Sequence, residues 1–566
     1  MVQTISTRSP RFLVTALVLG LAGGGVLAGG VLAGGVLAGC ALASGEDEGT
    51  GTAHGMEPIC GDNRLEGDEV CDGLDFAGET CLSLTGHSHG TLACTDGCVT
   101  DTSGCHTCGD GEVEGPEECE AGTIDRQSCE VFGYEKGSPY CDGCRVAGCY
   151  TCGDGACDSR DGESVFTCPR DCGGWLDLSA GGAHTCAVTQ SGNVWCWGSD
   201  RFGQLGRGGD PRGPDSSVGH DPERVVGLSN VTAISTGLNH TCALRDDGQV
   251  FCWGSDLACQ LGLGEFTGDP TPGAQLRLVP TPVPGLDDAV SIAAGGDHTC
   301  AALADGSARC WGRNYMGQVG DATTEDRCVA TPVADLTGVV EIRAGHSISC
   351  ALAADHSVWC WGANDVGQLG IGIHSGPETI NGYAYSDRPV RVTVLGRGEG
   401  LALGTAHACA INSVDRAEHA VAQAWCWGAA GAGQLGDGAS HEDCGEEACS
   451  ATPVLAQLPW QATRVETGAR HTCAMGYDGK AWCWGANDTG QLGDSTYGAG
   501  GPLTSATPVQ VNGLTSLRLL AVGDNHGCAV TADRTLWCWG ANDSGQTGGE
   551  LPVVGTPRIV FDSIVR

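Results

Sequence analysis

Three short segments decide the fold of this chain: His184-Thr185-Cys186-Ala187-Val188, Val194-Trp195-Cys196-Trp197-Gly198 and Gly203-Gln204-Leu205-Gly206. The same three segments recur seven times in the second half of the chain. The first cysteine of each copy follows that of the preceding copy by 50 to 64 residues, and the second cysteine lies ten residues further on in six copies. Tandem copies at this period are typical of propellers and other repeat architectures.

Each copy contains four candidate strands. An apolar run such as Val290-Ser291-Ile292-Ala293-Ala294 precedes the histidine, and the turn Asp246-Asp247-Gly248-Gln249 is typical of a hairpin. Thr281-Pro282-Val283 marks a fourth strand, in which the proline suits an edge position. Four short strands make one propeller blade, and a blade is buried only when its neighbours stack on it. The sequence therefore predicts an all-β fold with a seven-bladed β-propeller over residues 173–566.

The segment from Trp361 to Gly370, Trp-Gly-Ala-Asn-Asp-Val-Gly-Gln-Leu-Gly, resembles the repeat of the regulator of chromosome condensation family nearly position for position. The resemblance covers roughly residues 175–566 and implies a seven-bladed propeller. It implies little about function, because this propeller serves exchange factors, scaffolds and inhibitors alike. Single copies depart from the pattern at four positions: Cys259, Val319, Ile348 and Thr547.

The cysteine pairs are not part of the nuclear pattern of that family. Two cysteines ten apart across a hairpin can lie directly opposite each other, and a non-hydrogen-bonded pair has a Cα separation of about 4.5 Å, which a disulfide accepts. We therefore predict one disulfide in each blade: Cys186–Cys196, Cys242–Cys252, Cys300–Cys310, Cys350–Cys360, Cys409–Cys426, Cys473–Cys483 and Cys528–Cys538. The remaining four cysteines leave a local pair, Cys444 with Cys449, and a bridge between blades, Cys259 with Cys328.

The N-terminus predicts export. Arg8 and Arg11 precede an apolar run that contains Gly-Val-Leu-Ala-Gly three times, as expected for a secretion signal over residues 1–39. The run ends in Leu37-Ala38-Gly39-Cys40, which resembles the bacterial lipobox, so we expect cleavage before Cys40 and a lipid on that cysteine. An uncleaved anchor and a conventional signal peptide are the alternatives. Because Ala41 follows rather than aspartate, we expect an outer-membrane lipoprotein, periplasmic or at the cell surface.

A flexible acidic tether (40–59) and a cysteine-rich module (60–172) follow the signal. The module holds 16 cysteines in units that begin Cys-Gly-Asp at Cys60, Cys108 and Cys152, and it resembles repeats of secreted bacterial surface proteins. It has few large apolar residues, so disulfides must replace a core.

Metal binding by this module is the alternative to disulfides. Two CxxC spacings, at Cys105 and Cys141, suit zinc. Four carboxylates between 154 and 163 suit calcium, although their spacing is not that of an EF-hand. An oxidising compartment and an even cysteine count favour disulfides, so no metal site is predicted. The carboxylates of this alternative are Asp154, Asp158, Asp161 and Glu163.

Composition and motifs exclude several function classes. The net charge of −40 argues against binding nucleic acid and against docking to anionic lipid by charge. The sequence has no nucleophile elbow, phosphate-binding loop or HExxH helix, so we predict no catalytic residues and no cofactor. One histidine recurs per blade and resembles a metal ring, but a residue repeated in every blade more often makes structural hydrogen bonds. These histidines are His184, His240, His298, His407, His471 and His526.

Specific function should lie in segments that do not repeat, because binding surfaces are built from loops on rigid scaffolds. We predict a non-catalytic, lipid-anchored scaffold whose loop face binds an unknown protein or polysaccharide at the cell surface, with the membrane reached only through the lipid anchor. The alternatives are an enzyme inhibitor, a carbohydrate-binding propeller in which Trp195, Trp425 or Trp482 stacks on sugar, and an enzyme. The non-repeated segments are Asp210–Asp221, Phe266–Leu278, Ile371–Asp387, Ser413–Ala420, Gly438–Ser450 and Asp494–Thr504.

Overall fold

A computed structural model provides the coordinates of the chain. It describes residues 173–560, apart from 210–217, 265–274, 376–377, 381–382, 393, 417–418, 446, 498–500 and 550–552, and the backbone of six short strands that precede the propeller. These strands are β1 (His89–Gly90), β2 (Ala93–Cys94), β3 (Thr100–Asp101), β4 (Cys105–His106), β5 (Lys136–Asp142) and β6 (Arg145–Tyr150). They form three antiparallel pairs, β1 with β4, β2 with β3 and β5 with β6.

Seven antiparallel sheets follow, five with four strands and two with five, so the predicted seven-bladed propeller is confirmed. Blade 1 consists of β7 (Trp175–Ala180), β8 (His184–Thr189), β9 (Val194–Ser199) and β10 (Val218–Arg224). Blade 2 consists of β11 (Val231–Thr236), β12 (His240–Arg245), β13 (Val250–Ser255) and β14 (Leu276–Pro282). Blade 3 consists of β15 (Ala289–Ala294), β16 (His298–Leu303), β17 (Ala308–Gly312) and β18 (Arg327–Pro332).

Blades 4 and 5 each carry one additional edge strand, β22 and β27. Blade 4 consists of β19 (Val339–Ala344), β20 (Ile348–Ala353), β21 (Val358–Ala363), β22 (Glu378–Ile380) and β23 (Tyr383–Arg391). Blade 5 consists of β24 (Gly398–Leu403), β25 (His407–Arg416), β26 (His419–Ala429), β27 (Glu442–Asp443) and β28 (Ala448–Leu455). Blade 6 consists of β29 (Ala462–Thr467), β30 (His471–Gly476), β31 (Ala481–Ala486) and β32 (Thr504–Gln510), and blade 7 of β33 (Leu517–Val522), β34 (His526–Thr531), β35 (Leu536–Ala541) and β36 (Val553–Ile559).

The hairpin between the second and third strands places the two cysteines of every repeat in register. Cys350 lies directly opposite Cys360, for example, and the two sulfurs are bonded. In all seven hairpins the paired Cα atoms are 4.0–4.2 Å apart. The structure also joins Cys444 to Cys449 within blade 5 and Cys259 of blade 2 to Cys328 of blade 3.

The core consists of seven interblade clusters rather than one central core. In each cluster a hairpin disulfide and aliphatic side chains of one blade pack against a tryptophan of the next blade, the one that directly follows its second hairpin cysteine. Cys242, Cys252 and Leu261, for example, pack against Trp311. That indole is fully buried in all seven blades. Gly262, which has a φ of +70°, closes the loop against the indole, and a Cβ there would lie 2.7 Å from Trp311 Nε1.

The ring is closed by packing and not by a shared sheet. β7 and β36, which begin and end the propeller, belong to different blades. The seventh cluster joins Trp175, Leu178 and Trp197 of blade 1 to blade 7. Asp524 N also donates to Gly181 O, 3.1 Å away, across this junction.

Strand direction defines two faces of the ring. In each blade the first strand is innermost, and the connections between strands one and two and between strands three and four lie at the same edge. We call this edge the insertion face. The opposite edge, the hairpin face, carries the hairpins between strands two and three and the connections to the next blade. Prolines such as Pro282 and Pro332 lie in the outermost strands, where no further strand needs their N–H.

Candidate functional site

Five of the six repeated histidines form hydrogen bonds between blades. His184 Nε2 lies 2.9 Å from Thr241 Oγ1 in the next blade, and His526 of blade 7 reaches Thr185 of blade 1 at 2.8 Å. The same contact joins His240 to Thr299, His298 to Ser349 and His407 to Thr472.

The hydroxyl that receives each histidine is itself a donor. Thr241 Oγ1 donates to Gln204 O at 2.9 Å, and Trp253 Nε1 donates to the same carbonyl at 2.9 Å. Because the hydroxyl proton is used in this way, the histidine must donate from Nε2 and keep Nδ1 unprotonated. In these five contacts the recurring histidine, hydroxyl, glutamine carbonyl and tryptophan form one polar network per blade junction, which is a structural role.

Burial fixes the charge state of these histidines. Desolvation lowers the pKa of His184, His240, His298 and His471 to about 3, with a smaller contribution from neighbouring imidazoles. The same burial lowers the pKa of His407 and His526 to about 4. All six are therefore neutral at physiological pH, and they line interblade contacts rather than a common cavity.

Two of the seven junctions lack the histidine–hydroxyl contact. Between blades 4 and 5, Ile348 replaces the histidine and Ala408 replaces the hydroxyl residue. Between blades 6 and 7 the histidine is kept, but Gly527 stands at the hydroxyl position, and neither ring nitrogen of His471 has a partner. The tryptophan bond survives at both, because Trp427 and Trp539 still donate to a glutamine carbonyl.

A channel runs along the propeller axis. Its cavity of about 370 Å³ is lined by the innermost strand of every blade. Small residues such as Ser179, Ser235 and Ala293 line most of its wall. Its charged residues come from blades 1, 4, 6 and 7; in blade 4 Arg343 Nε donates to Glu341 at 2.9 Å, and in blade 6 Arg464 Nε donates to Glu466 at 2.7 Å.

Asp177 of blade 1 extends this charged wall. Burial raises the pKa of its carboxyl group, while a backbone hydrogen bond from Ile234 and the positive charges of Arg464 and Arg343 act in the opposite direction. The carboxylates Glu466, Asp177 and Glu341 raise the pKa of Arg464. The sequence analysis does not predict these charged residues. They occupy alternate positions of the innermost strands, and the residue types at those positions differ from blade to blade.

The insertion face collects five of the six non-repeated segments. These five connect the third and fourth strands of blades 1, 2, 4, 5 and 6. The exception is 413–420, which lengthens the hairpin of blade 5 on the opposite face. The segment 438–450 has four acidic residues and no Lys or Arg, and Glu442 and Asp443 within it are exposed.

The tryptophans considered for sugar stacking are not freely exposed. Trp195, Trp425 and Trp482 are half-buried, and the indole N–H groups of the latter two are buried. Trp195 and Trp425 pack against hydrophobic clusters at blade junctions. These positions therefore do not form the repeated open pockets that a propeller lectin would require.

Several predictions lie outside the described residues. Cys40 and the carboxylates at 154, 158, 161 and 163 are among them, and so is the second cysteine of each CxxC spacing, Cys108 and Cys144. Within the part of the chain that the structure describes, no three His, Cys, Asp or Glu residues are grouped as a metal site, and no helix is long and apolar enough to span a membrane.

Comparison with protein families gives matches over residues 144–546. Residues 144–461 match the RCC1-like domain, and 462–491, 478–530 and 518–546 match the regulator of chromosome condensation (RCC1) repeat. Human E3 ubiquitin-protein ligase HERC2 is 26% identical over 385 residues, which are 67% of this chain and 6% of that protein. Human regulator of chromosome condensation is 34% identical over 26% of this chain and 32% of its own length.

Solved structures show the same fold. Human WBSCR16 superposes with a TM-score of 0.53 at 19% identity, covering 66% of this chain and 94% of that one. Yeast RCC1 (Prp20), in its complex with Kap60, gives a TM-score of 0.50 at 22% identity, covering 61% and 77%. The chain spans 6% of the length of HERC2 and about a third of that of human regulator of chromosome condensation.

Proposed function

The chain belongs to the RCC1-like domain family, and we propose that it is a non-catalytic binding scaffold whose insertion face holds a protein partner. The observation that carries the proposal is that repeated and non-repeated residues occupy different parts of the structure. Most of the repeated polar side chains form hydrogen bonds within or between blades, whereas five of the six non-repeated segments connect strands at one face of the ring. Such segments on a rigid ring supply a specific binding surface without disturbing the fold.

Charge indicates the kind of partner. The chain carries 69 acidic and 29 basic residues, and the exposed carboxylates of Glu442 and Asp443 lie on the insertion face. A partner with a basic surface complements this face and gains association rate from electrostatic attraction. Relatives support protein binding in general, since yeast RCC1 is seen in complex with Kap60. The ligase activity of HERC2 is not carried over, because the chain spans so little of that protein.

We further propose that the protein is exported and lipidated at Cys40, which would hold the propeller at the outer membrane or cell surface. The support is the lipobox-like end of the N-terminal apolar run together with the disulfides of the propeller, which require an oxidising compartment. Metabolic labelling with a fatty acid should mark the full chain, and Cys40→Ser should abolish the label. Labelling that persists in Cys40→Ser would contradict lipidation at this cysteine.

Capture by the full chain from membrane and secreted fractions tests the binding face. We expect one protein to be retained, and the double substitution Glu442→Gln/Asp443→Asn to weaken its retention about tenfold, more at low salt than at high salt. The matched control is Asp287→Asn/Asp288→Asn, which removes two exposed carboxylates from the hairpin face. Equal losses in both variants, or none in either, would refute the insertion face as the binding surface.

A further inference from the structure

We propose that the mouth of the axial channel on the hairpin face, between blades 4 and 6, binds a neutral sugar. A cavity of about 330 Å³ opens there, and Glu341, Arg343, Arg464, Glu466 and Tyr477 are among the residues that line it. This volume lies at the lower end of the range of small-molecule sites. The site is on the opposite face from the proposed protein-binding surface and is independent of it.

A missing side chain creates the space. Blade 5 places Gly400 at the level where blades 4 and 6 place Glu341 and Arg464 in the channel wall. A Cβ on Gly400 would meet only Ile411 Cγ1, at 3.9 Å, and the glycine does not have a left-handed backbone. The fold therefore does not require glycine at this position, and its absence of a side chain leaves a notch between two ion pairs.

The hydrogen-bonding groups around the notch suit hydroxyl groups. Both arginines bond through Nε, Arg343 to Glu341 and to Leu401 O, and Arg464 to Glu466. Their terminal nitrogens remain as donors, and the carboxylates supply acceptors. Two guanidinium groups and three carboxylates, Glu399 among them, line the cavity, so an anion meets carboxylates and a cation meets guanidinium groups. A sugar hydroxyl donates and accepts at once and carries no charge, so it matches both.

An aromatic rim adds the second element of sugar recognition. Tyr477 is 72% exposed on the hairpin turn of blade 6, and Trp460 is 50% exposed on the preceding connection. The connection that carries Trp460 lies beside this turn, since Trp460 Cδ1 would be 3.5 Å from a Cβ on Gly476 and Tyr477 N donates to Gln461 O at 3.2 Å. Of the two side chains, that of Tyr477 lines the cavity itself. The C–H face of a pyranose ring stacks on such side chains, which present flat apolar surface.

Saturation-transfer NMR on the full chain tests the proposal with three neutral disaccharides, namely cellobiose, maltose and N,N′-diacetylchitobiose. We expect saturable binding of at least one, insensitive to salt. Gly400→Leu, which fills the notch, and Tyr477→Ala, which removes the rim, should each weaken binding about fivefold to tenfold. Leu503→Ala is the matched control, because Leu503 is 63% exposed but belongs to the insertion face.

Three outcomes would overturn the proposal. The first is no transfer to any of the three sugars by a chain that unfolds cooperatively on heating. The second is binding that neither Gly400→Leu nor Tyr477→Ala weakens. The third is stronger, salt-sensitive binding of glucuronate, which would make the notch an anion site. Because Glu442→Gln/Asp443→Asn lies on the other face, it should leave sugar binding unchanged, so the two proposals fail or succeed separately.

Discussion

The junction between blades 4 and 5 and the junction between blades 6 and 7 have both lost the histidine–hydroxyl bond, but in different ways. At the first, Ile348 and Ala408 replace both partners, and both are fully buried in apolar contact. At the second, His471 remains, fully buried and without a partner, opposite Gly527. Removing both members of a buried pair is nearly neutral, whereas removing one leaves a desolvated polar group.

Packing at the second junction leaves no room for a hydroxyl-bearing side chain at position 527. A Cβ on Gly527 would lie 2.6 Å from Trp539 Cζ2, so this indole occupies the space that a threonine side chain fills in other blades. Trp539 still donates to Gln491 O at 3.0 Å. The difference between the junctions teaches that the polar network is replaceable as a unit but not in part.

Acid should have the largest effect on stability, because all six repeated histidines are buried and neutral. Their pKa values of about 3 to 4 lie below the ordinary value of 6.5, so the unfolded chain gains protons first as the pH falls. The contribution of the neutral histidines to stability is complete above pH 6.5 and falls between pH 6.5 and about 3. Each histidine contributes about 1.4 kcal/mol per pH unit in this window.

Buried carboxyl groups oppose this trend in part. Burial raises the pKa of Asp256 to about 6, and it also raises the pKa values of Asp177, Asp200 and Asp524, so the folded chain takes up protons there. Six histidines outweigh four carboxyl groups, and we expect a net loss on the order of 10 kcal/mol between pH 7 and pH 4. Urea denaturation at a series of pH values measures it, and an unfolding free energy independent of pH would contradict the buried neutral histidines.

Removal of one hairpin disulfide should cost about 3 kcal/mol, since ten residues separate the paired cysteines. Cys350→Ala/Cys360→Ala acts at the junction of blades 4 and 5, and Cys473→Ala/Cys483→Ala acts at that of blades 6 and 7. If the two junctions differ only in their polar pair, both double variants lose the same unfolding free energy. Urea denaturation under oxidising conditions measures both, and a clear inequality would mean that the difference extends into the apolar packing.

Ile348→His should recreate at blades 4 and 5 the defect of blades 6 and 7, and destabilise the chain by about 2 kcal/mol at pH 8. The double variant Ile348→His/Ala408→Thr should recover most of that loss, because the hydroxyl then receives the histidine and donates to Gln368 O. Urea denaturation of the two single variants and the double variant gives the coupling energy. Additive effects would contradict the replacement of the pair as a unit.

Much of the propeller follows from the repeat alone. The interval of ten residues predicts the hairpin register, and Cys350 and Cys360 lie opposite each other as it requires. A residue repeated once per blade, such as His240, was expected to make structural hydrogen bonds, and it does so with Thr299. Its partner was not predicted, because the contact crosses between repeats and depends on how the blades stack.

The sequence does not predict the candidate sugar site, for a related reason. Glu341, Arg343, Arg464 and Glu466 occupy ordinary alternate positions of innermost strands and carry no motif. Only closure of the ring brings blades 4 and 6 around Gly400. Local pattern predicts what each repeat does by itself, whereas a site at the axis depends on residues 123 positions apart that differ between repeats (Arg343 and Glu466).

His471→Ile should give the smallest effect, a gain of about 1 kcal/mol, because it replaces a partnerless buried imidazole with the side chain that Ile348 supplies at the other junction. The matched control is His240→Ile, which breaks the intact contact to Thr299 and should lose about 1 kcal/mol. Urea denaturation at pH 8 measures both. If a buried imidazole without a partner is the source of instability, the two substitutions change the unfolding free energy in opposite directions. A loss in His471→Ile as large as that in His240→Ile would show that the imidazole stabilises through packing. The contrast between the two junctions would then disappear.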